Sequence, residues 1–170
     1  MDTFNLGVVD QSGDIEESAG SKPARADFND IGRIVEVSGG SSSIRLDGRA
    51  LKQLEGHADV IVAMAGQVGS QVKCRVGGLW LLANVRDMRL ENPDGDMIVA
   101  NIDFLGEGLE DPVTGRVQGF RRGVTRYPVP GTRMFPVTRD DLQQIFSATD
   151  RPHIRVGMVY PSRDVEASVF

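Results

Sequence analysis

Six arginines, Arg116, Arg121, Arg122, Arg126, Arg133 and Arg139, fall between Pro112 and Arg139, and no acid follows until Asp140. Phe120, Tyr127 and Phe135 are interleaved with them. Guanidinium groups grip phosphate or carboxylate oxygens through a planar fork, and aromatic rings supply stacking area. The composition therefore suits a surface for single-stranded nucleic acid. It suits a protein interface equally well, because arginine and aromatic residues are enriched at the contacts that carry binding energy. A third reading is a solvated strand face whose arginines pair with acids elsewhere in the domain. The candidate residues for an oligomer or partner interface are Phe120, Arg121, Arg122, Arg126 and Tyr127.

Covalent chemistry has no comparable foothold. The chain contains no G-x-x-x-x-G-K-[ST], and no glycine directly precedes a lysine, so it carries no P-loop. Gly106-Glu107-Gly108 lacks the third glycine of a dinucleotide fingerprint. His57 and His153 lie far apart, without a cysteine or carboxylate at metal-ligand spacing. They read as a loop histidine and a strand-start histidine. No Gly-x-Ser-x-Gly elbow is present, and the single cysteine, Cys74, sits inside a strand pattern as a buried structural thiol. No catalytic, cofactor-binding or metal-ligating residue is expected in this chain.

The elements that must position the arginines are mostly strands. From Ile31 to Val37 apolar and polar residues alternate, residues 38–41 (Ser-Gly-Gly-Ser) turn the chain, and Ser43 to Leu46 return as the second arm of a hairpin. Asp47-Gly48 closes that arm, and Arg49 to Glu55 predict a short helix. Gln67 to Val76 alternates again, and Gly77-Gly78 has the form of a type I′ link to a strand over Leu79 to Leu90. Asn92-Pro-Asp-Gly-Asp96 turns into Met97 to Leu105. After the Asp111–Gly115 turn, Val117 to Tyr127 is expected as one strand. Thr138 is a good N-cap for a helix whose Leu142, Ile145 and Phe146 form an apolar stripe ending at Asp150-Arg151-Pro152. His153 to Tyr160 reads as a strand, in which Gly157 marks a bulge or a close backbone approach. Many short strands with glycine-rich turns predict a mainly β fold, a small antiparallel barrel with one or two short helices.

The net charge of −5 is concentrated at the start. Residues 1–30 hold seven acids against Lys22 and Arg25, whereas the remainder holds 17 of each sign. Few large apolar groups accompany these charges, so residues 1–29 are expected to be an acidic flexible leader ahead of a barrel domain over residues 30–170. No apolar run approaches the ~18–20 residues needed to span a bilayer. The start lacks the basic and apolar regions of a signal peptide, and one cysteine cannot form an internal disulfide. These features predict a cytoplasmic protein with no membrane partner. The last eighteen residues, His153 to Phe170, end on a bare Val-Phe. This suggests an N-terminal domain of a longer polypeptide.

Three segments in order resemble a known family: Asp30-Ile-Gly-Arg-Ile-Val-Glu-Val-Ser-Gly39, Gly66-Gln-Val-Gly-Ser-Gln-Val-Lys-Cys74, and the terminal run from His153 to Val169. They are similar to the N-terminal barrel of HerA-type DNA translocases, the HAS barrel shared with rotary ATP synthases. Thr138 to Phe146 is similar to the helix before the last strand of that barrel. The resemblance implies a HerA-like, ATP-dependent DNA translocase or helicase as the parent, with a RecA-like motor beyond Phe170 that takes ATP and Mg. It implies that the barrels assemble a hexameric ring and dock a NurA-like nuclease or another effector, in DNA repair or in defence. DNA would be engaged through the parent's motor. The motor is absent from these residues, so the resemblance credits them with no ATP hydrolysis. From a different class, a stand-alone OB-like module for single-stranded nucleic acid remains open.

Overall fold

The structure, a computed structural model, describes residues 30–39, 41–146, 154–159, 163 and 165–169. The expected leader over 1–29 lies outside these residues, as do the helix stop at Asp150 to Pro152, His153 and Phe170.

Gly32–Val37 (β1) and Ser42–Asp47 (β2) form the first hairpin. Asp47 ends β2 and caps the helix α1, Gly48–Leu54. Its carboxylate accepts from the backbone N–H of Arg49 at 2.9 Å and of Ala50 at 3.4 Å, satisfying donors that the first turn leaves free. A second helix, α2 at Val60–Ala63, is capped by Asp59 in the same way. It escapes sequence reading because four residues hold too little of a 3.6-residue period. The strand expected from Gln67 begins at Gln71 (β3, Gln71–Val76). Gly66 and Gly69 take φ of 79° and 87° and turn the chain first. Gly77 and Gly78, both at positive φ, then join β3 to β4, Leu79–Leu90, as a type I′ turn requires. Met97–Glu110 is β5, Val117–Arg122 is β6, and Arg133–Pro136 is β7.

Six of these strands close an antiparallel barrel in the order β1–β2–β5–β4–β3–β7, with β7 returning to β1. The fold is therefore mainly β and barrel-forming, as expected, and the described residues form three short helices. The long strand β5 makes the closure possible. Its first half, Met97 to Ile102, pairs with β2, while Gly106 to Glu110 pairs with β6. β6 thus lies outside the six as a flap on the barrel wall.

Alternation places Ile34, Ile44, Leu46, Val72, Cys74, Leu81, Val85, Ile102 and Met134 in the barrel interior, each at 1% exposure or less. The first part of β4, Leu79 to Ala83, is apolar on both faces because its outer face is also covered. Trp80 and Leu82 join Val117, Val137 and Leu142 in a second cluster. That cluster is roofed by α3, Arg139–Phe146, and by the hairpin β8, Ile154–Met158, with β9, Glu166–Val169. These last strands form a separate two-stranded sheet rather than part of the barrel. Their pairing shifts register between Arg155 and Gly157, so the glycine does mark a bulge. A Cβ there would meet nothing within 4 Å, so no close approach explains it.

The N-terminus of α3 is a capping box built by Thr138 and Asp141. The Asp141 N–H donates to Thr138 Oγ1 at 3.2 Å, and Asp141 Oδ2 accepts from the Thr138 N–H at 2.9 Å. The same Oδ2 accepts from Lys73 Nζ at 2.6 Å, with the Asp141 side chain fully buried. Lys73 stands on the outer face of β3, so this ion pair ties α3 to the barrel wall.

Candidate interaction surface

Gly106 and Gly108 bring β6 unusually close to β5. A Cβ on Gly106 would stand 2.1 Å from the Arg121 carbonyl oxygen and 2.6 Å from the Phe120 ring. One on Gly108 would stand 2.6 Å from a Val117 methyl. The glycine pair that fails as a dinucleotide fingerprint thus has a packing role.

Between them Glu107 is 1% exposed. A carboxylate so placed needs donors on its oxygens, and it has them. Thr125 gives its backbone N–H at 2.9 Å and its hydroxyl at 2.9 Å; Arg121 gives Nε at 3.0 Å and also Nη2. The Thr125 N–H is the main cause holding the Glu107 carboxyl below its ordinary range; the Arg121 guanidinium adds to it and burial opposes both. The chain that leaves β6 is therefore anchored at Thr125. This anchor explains why the expected strand from Val117 to Tyr127 stops at Arg122: Gly123 turns away at φ 82°, and Thr125 folds back onto Glu107.

The anchor also places Arg126 and Tyr127, the next two residues of the chain. The Tyr127 ring meets Phe104 edge-on, with centroids 5.9 Å apart and planes at 77°, yet remains 48% exposed. The Arg126 guanidinium reaches the β3–β4 turn, 3.8 Å from where a Cβ on Gly77 would stand. Arg122 and Arg126 are both exposed. Among the described residues no carboxylate forms an ion pair with either.

The five candidate residues thus have different roles. Arg122, Arg126 and Tyr127 are each exposed, Arg122 at the end of β6 and the other two in the anchored segment that follows. Arg121 is committed to Glu107 and positions that loop. Phe120 is half-buried against the second apolar cluster, so it belongs to the packing. The wider arginine segment is likewise not one stripe. Arg133 pairs with Asp30 at 3.3 Å and Arg116 with Asp140 at 2.8 Å. Arg116 and Arg139 line a separate hollow. Sequence reading missed Glu107 and Thr125. The available signal was an acid held between two glycines, Gly106 and Gly108, just past the strand expected to end at Leu105.

His57 is an exposed loop residue whose Nδ1 accepts from the Asp59 N–H at 3.0 Å. Cys74 is fully buried, and burial pushes its thiol up to about 12. Among the described residues no group of three or more histidines, cysteines and acids could hold a metal ion. No helix of the described residues is long and apolar enough to cross a membrane. Compared with known proteins, the chain matches no family model and no curated protein.

Proposed function

We propose that this barrel is an assembly and docking module of a larger cytoplasmic protein, and that Arg122, Arg126 and Tyr127 carry its principal contact. The observation behind the reading is the Glu107 anchor. It holds a half-exposed tyrosine and two arginines, neither paired with a described acid, in a fixed arrangement before any partner arrives. Preorganised side chains of these types lose little entropy on binding, which is what a contact hot spot needs. The sequence resemblance to HerA-type barrels supplies the larger context. In that context the parent is a hexameric ATP-driven DNA translocase, and the docked partner is a NurA-like nuclease or another effector.

The test replaces Arg122 and Arg126 with glutamate in the polypeptide that carries the barrel. Arg121 is left intact, because its loss would unseat Glu107. Sedimentation velocity should show weakened self-association or weakened binding of the co-purifying partner, with the barrel's melting temperature nearly unchanged. If neither association changes, the contact assignment is wrong. If instead the salt dependence of single-stranded DNA binding flattens by about one unit per lost phosphate contact, the nucleic-acid module is the better reading.

A further inference from the structure

The second half of β4 is an open edge of the barrel. β3 pairs with β4 only as far as Asn84, and the Gly69 N–H closes the contact on the Val85 oxygen at 2.8 Å. From Asp87 to Leu90 the strand pairs with β5, and β5 is occupied on its other side by β2. No described strand pairs with the outer edge of Asp87 to Leu90. Such an edge presents backbone N–H and C=O groups to whatever strand can reach it.

The same stretch borders an apolar groove of ≈ 400 Å³ between α1, α2 and the β4–β5 turn. Leu51, Ala63, Ala65 and Ile98 line it, with Met88 and Leu90 at 38% and 53% exposure. Residues two apart on a strand share a face, so Met88 and Leu90 stand on the groove side and Asp87 and Arg89 on the other. An unpaired edge beside exposed apolar side chains suits one added strand that is apolar on a single face.

The groove lies where the described chain starts. The Asp47 N–H donates to the Ile31 oxygen at 2.9 Å. The next residue, Gly48, lines the groove and donates to the Asp96 oxygen at 2.9 Å. Whatever precedes Asp30 therefore joins the fold beside the groove. Residues 1–29 contain one segment of the matching pattern. Thr3 to Val9 carries no charge, and Phe4, Leu6 and Val8 alternate with Asn5 and Gly7. From Asp10 to Asp27 the only large apolar residue is Ile15. Twenty residues separate Val9 from Asp30. At ~3.3 Å each they can span ~65 Å, ample for a groove that begins next to Ile31. A segment tethered in this way is presented at about millimolar effective concentration, so a contact too weak to form between molecules suffices within one.

We propose that Phe4 to Val8 docks here as an added strand along Asp87 to Leu90, with Phe4, Leu6 and Val8 on the groove side over Met88 and Leu90. Asn5 and Gly7 then fall on the side of Asp87 and Arg89, where no apolar partner is needed. The occupant is the chain's own start rather than a second copy, because the point of entry is adjacent and the tether reaches. The contact uses none of Arg122, Arg126 and Tyr127, so it stands or falls separately from the docking surface.

Hydrogen exchange on the 170-residue chain reads the edge directly. The amides of Asp87 to Leu90 that face away from β5 should exchange about tenfold faster in Phe4→Ser with Leu6→Ser, because protection follows the ratio of docked to free segment. The amides of β3 should be unchanged, which shows an intact barrel. Disulfide trapping gives a second readout, since Cys74 is buried. Leu6→Cys with Leu90→Cys should bridge within one chain in dilute protein, whereas Leu6→Cys with Arg122→Cys should not. The proposal is overturned by equal edge exchange in parent and variant, by no bridge to Leu90→Cys, or by equal bridging in the two double variants. Edge protection that rises with protein concentration also overturns it and assigns the edge to a second copy.

Discussion

The Lys73–Asp141 pair offers the most quantitative test of how α3 is held to the barrel. Side-chain exposure is 8% for Lys73 and 0% for Asp141, so solvent screens the pair very little. Removing one partner of a buried pair leaves the other charge uncompensated, at a typical cost of about 3–5 kcal/mol. In Lys73→Met the carboxylate keeps its Thr138 and Val117 donors. The loss should therefore fall at the low end, about 3 kcal/mol. Asp141→Leu strands the lysine and also removes the capping-box acceptor, which adds about 1 kcal/mol. The double variant removes both charges together, so only the cap and imperfect packing remain, about 1–2 kcal/mol in all. Its cost should lie well below that of either single variant, a strongly non-additive result. Equilibrium urea unfolding, followed by Trp80 fluorescence and far-UV circular dichroism with coincident transitions, measures all four proteins. A cost below about 1 kcal/mol for Lys73→Met would place the pair among screened surface contacts and refute the reasoning. So would simple additivity in the double variant.

The glycine contacts and the titrating groups give further expectations. Gly106→Ala puts a methyl 2.1 Å from a backbone oxygen and should cost about 1–3 kcal/mol in urea unfolding, whereas Gly157→Ala, which meets open space, should cost no more than about 0.5 kcal/mol. Glu107→Gln should loosen the β6–β7 connection, seen as faster limited proteolysis between Gly123 and Thr132 while the barrel stays folded. Glu107, Asp96 and Asp111 all have carboxyls held below their ordinary values of 4.5, 3.8 and 3.8. The stability they contribute is complete above those values and is lost as pH falls through the lowered folded ones. An acid titration of the urea midpoint should therefore decline below about pH 4.5, with a shallower decline in Glu107→Gln. Cys74, with its thiol pushed up to about 12, should resist alkylation at neutral pH in the folded chain and react once urea opens the barrel; rapid labelling of the native protein would contradict its burial.

Sequence reading succeeded where the physics is local. Turn chemistry at Gly77-Gly78, the short helix after Asp47-Gly48 and the Thr138 cap before α3 are settled by neighbours within a few residues, and each stands where it was expected. Closure of the barrel is settled elsewhere. β7 has four residues, ends in Pro136 and shows no useful alternation, yet it joins β1 to β3 and completes the ring. What recruits it is the pair of open edges, which exist only after the other strands have paired, so no window of sequence around Met134 contains the reason.

The arginine segment makes the same point for the candidate sites. Adjacent in sequence, its members are sorted by partners that lie far away along the chain: Glu107 takes Arg121, Asp30 takes Arg133, and Asp140 takes Arg116. Arg122 and Arg126 are exposed and form no ion pair with a described acid, which composition cannot reveal. The hollow is the converse case. Lys73, Arg116 and Arg139 carry no shared motif, since the β3–β7 pairing and the docking of α3 through Asp141 are what bring them together. If that docking fails, the cation cluster should disperse with it. Asp141→Leu should therefore change the emission of Trp80, whose ring Lys73 and Arg75 cover, at urea concentrations where the barrel is still folded. Arg122→Glu with Arg126→Glu should leave that emission unchanged. An emission unaltered after α3 is unpinned would show that these cations are arranged by something other than the helix.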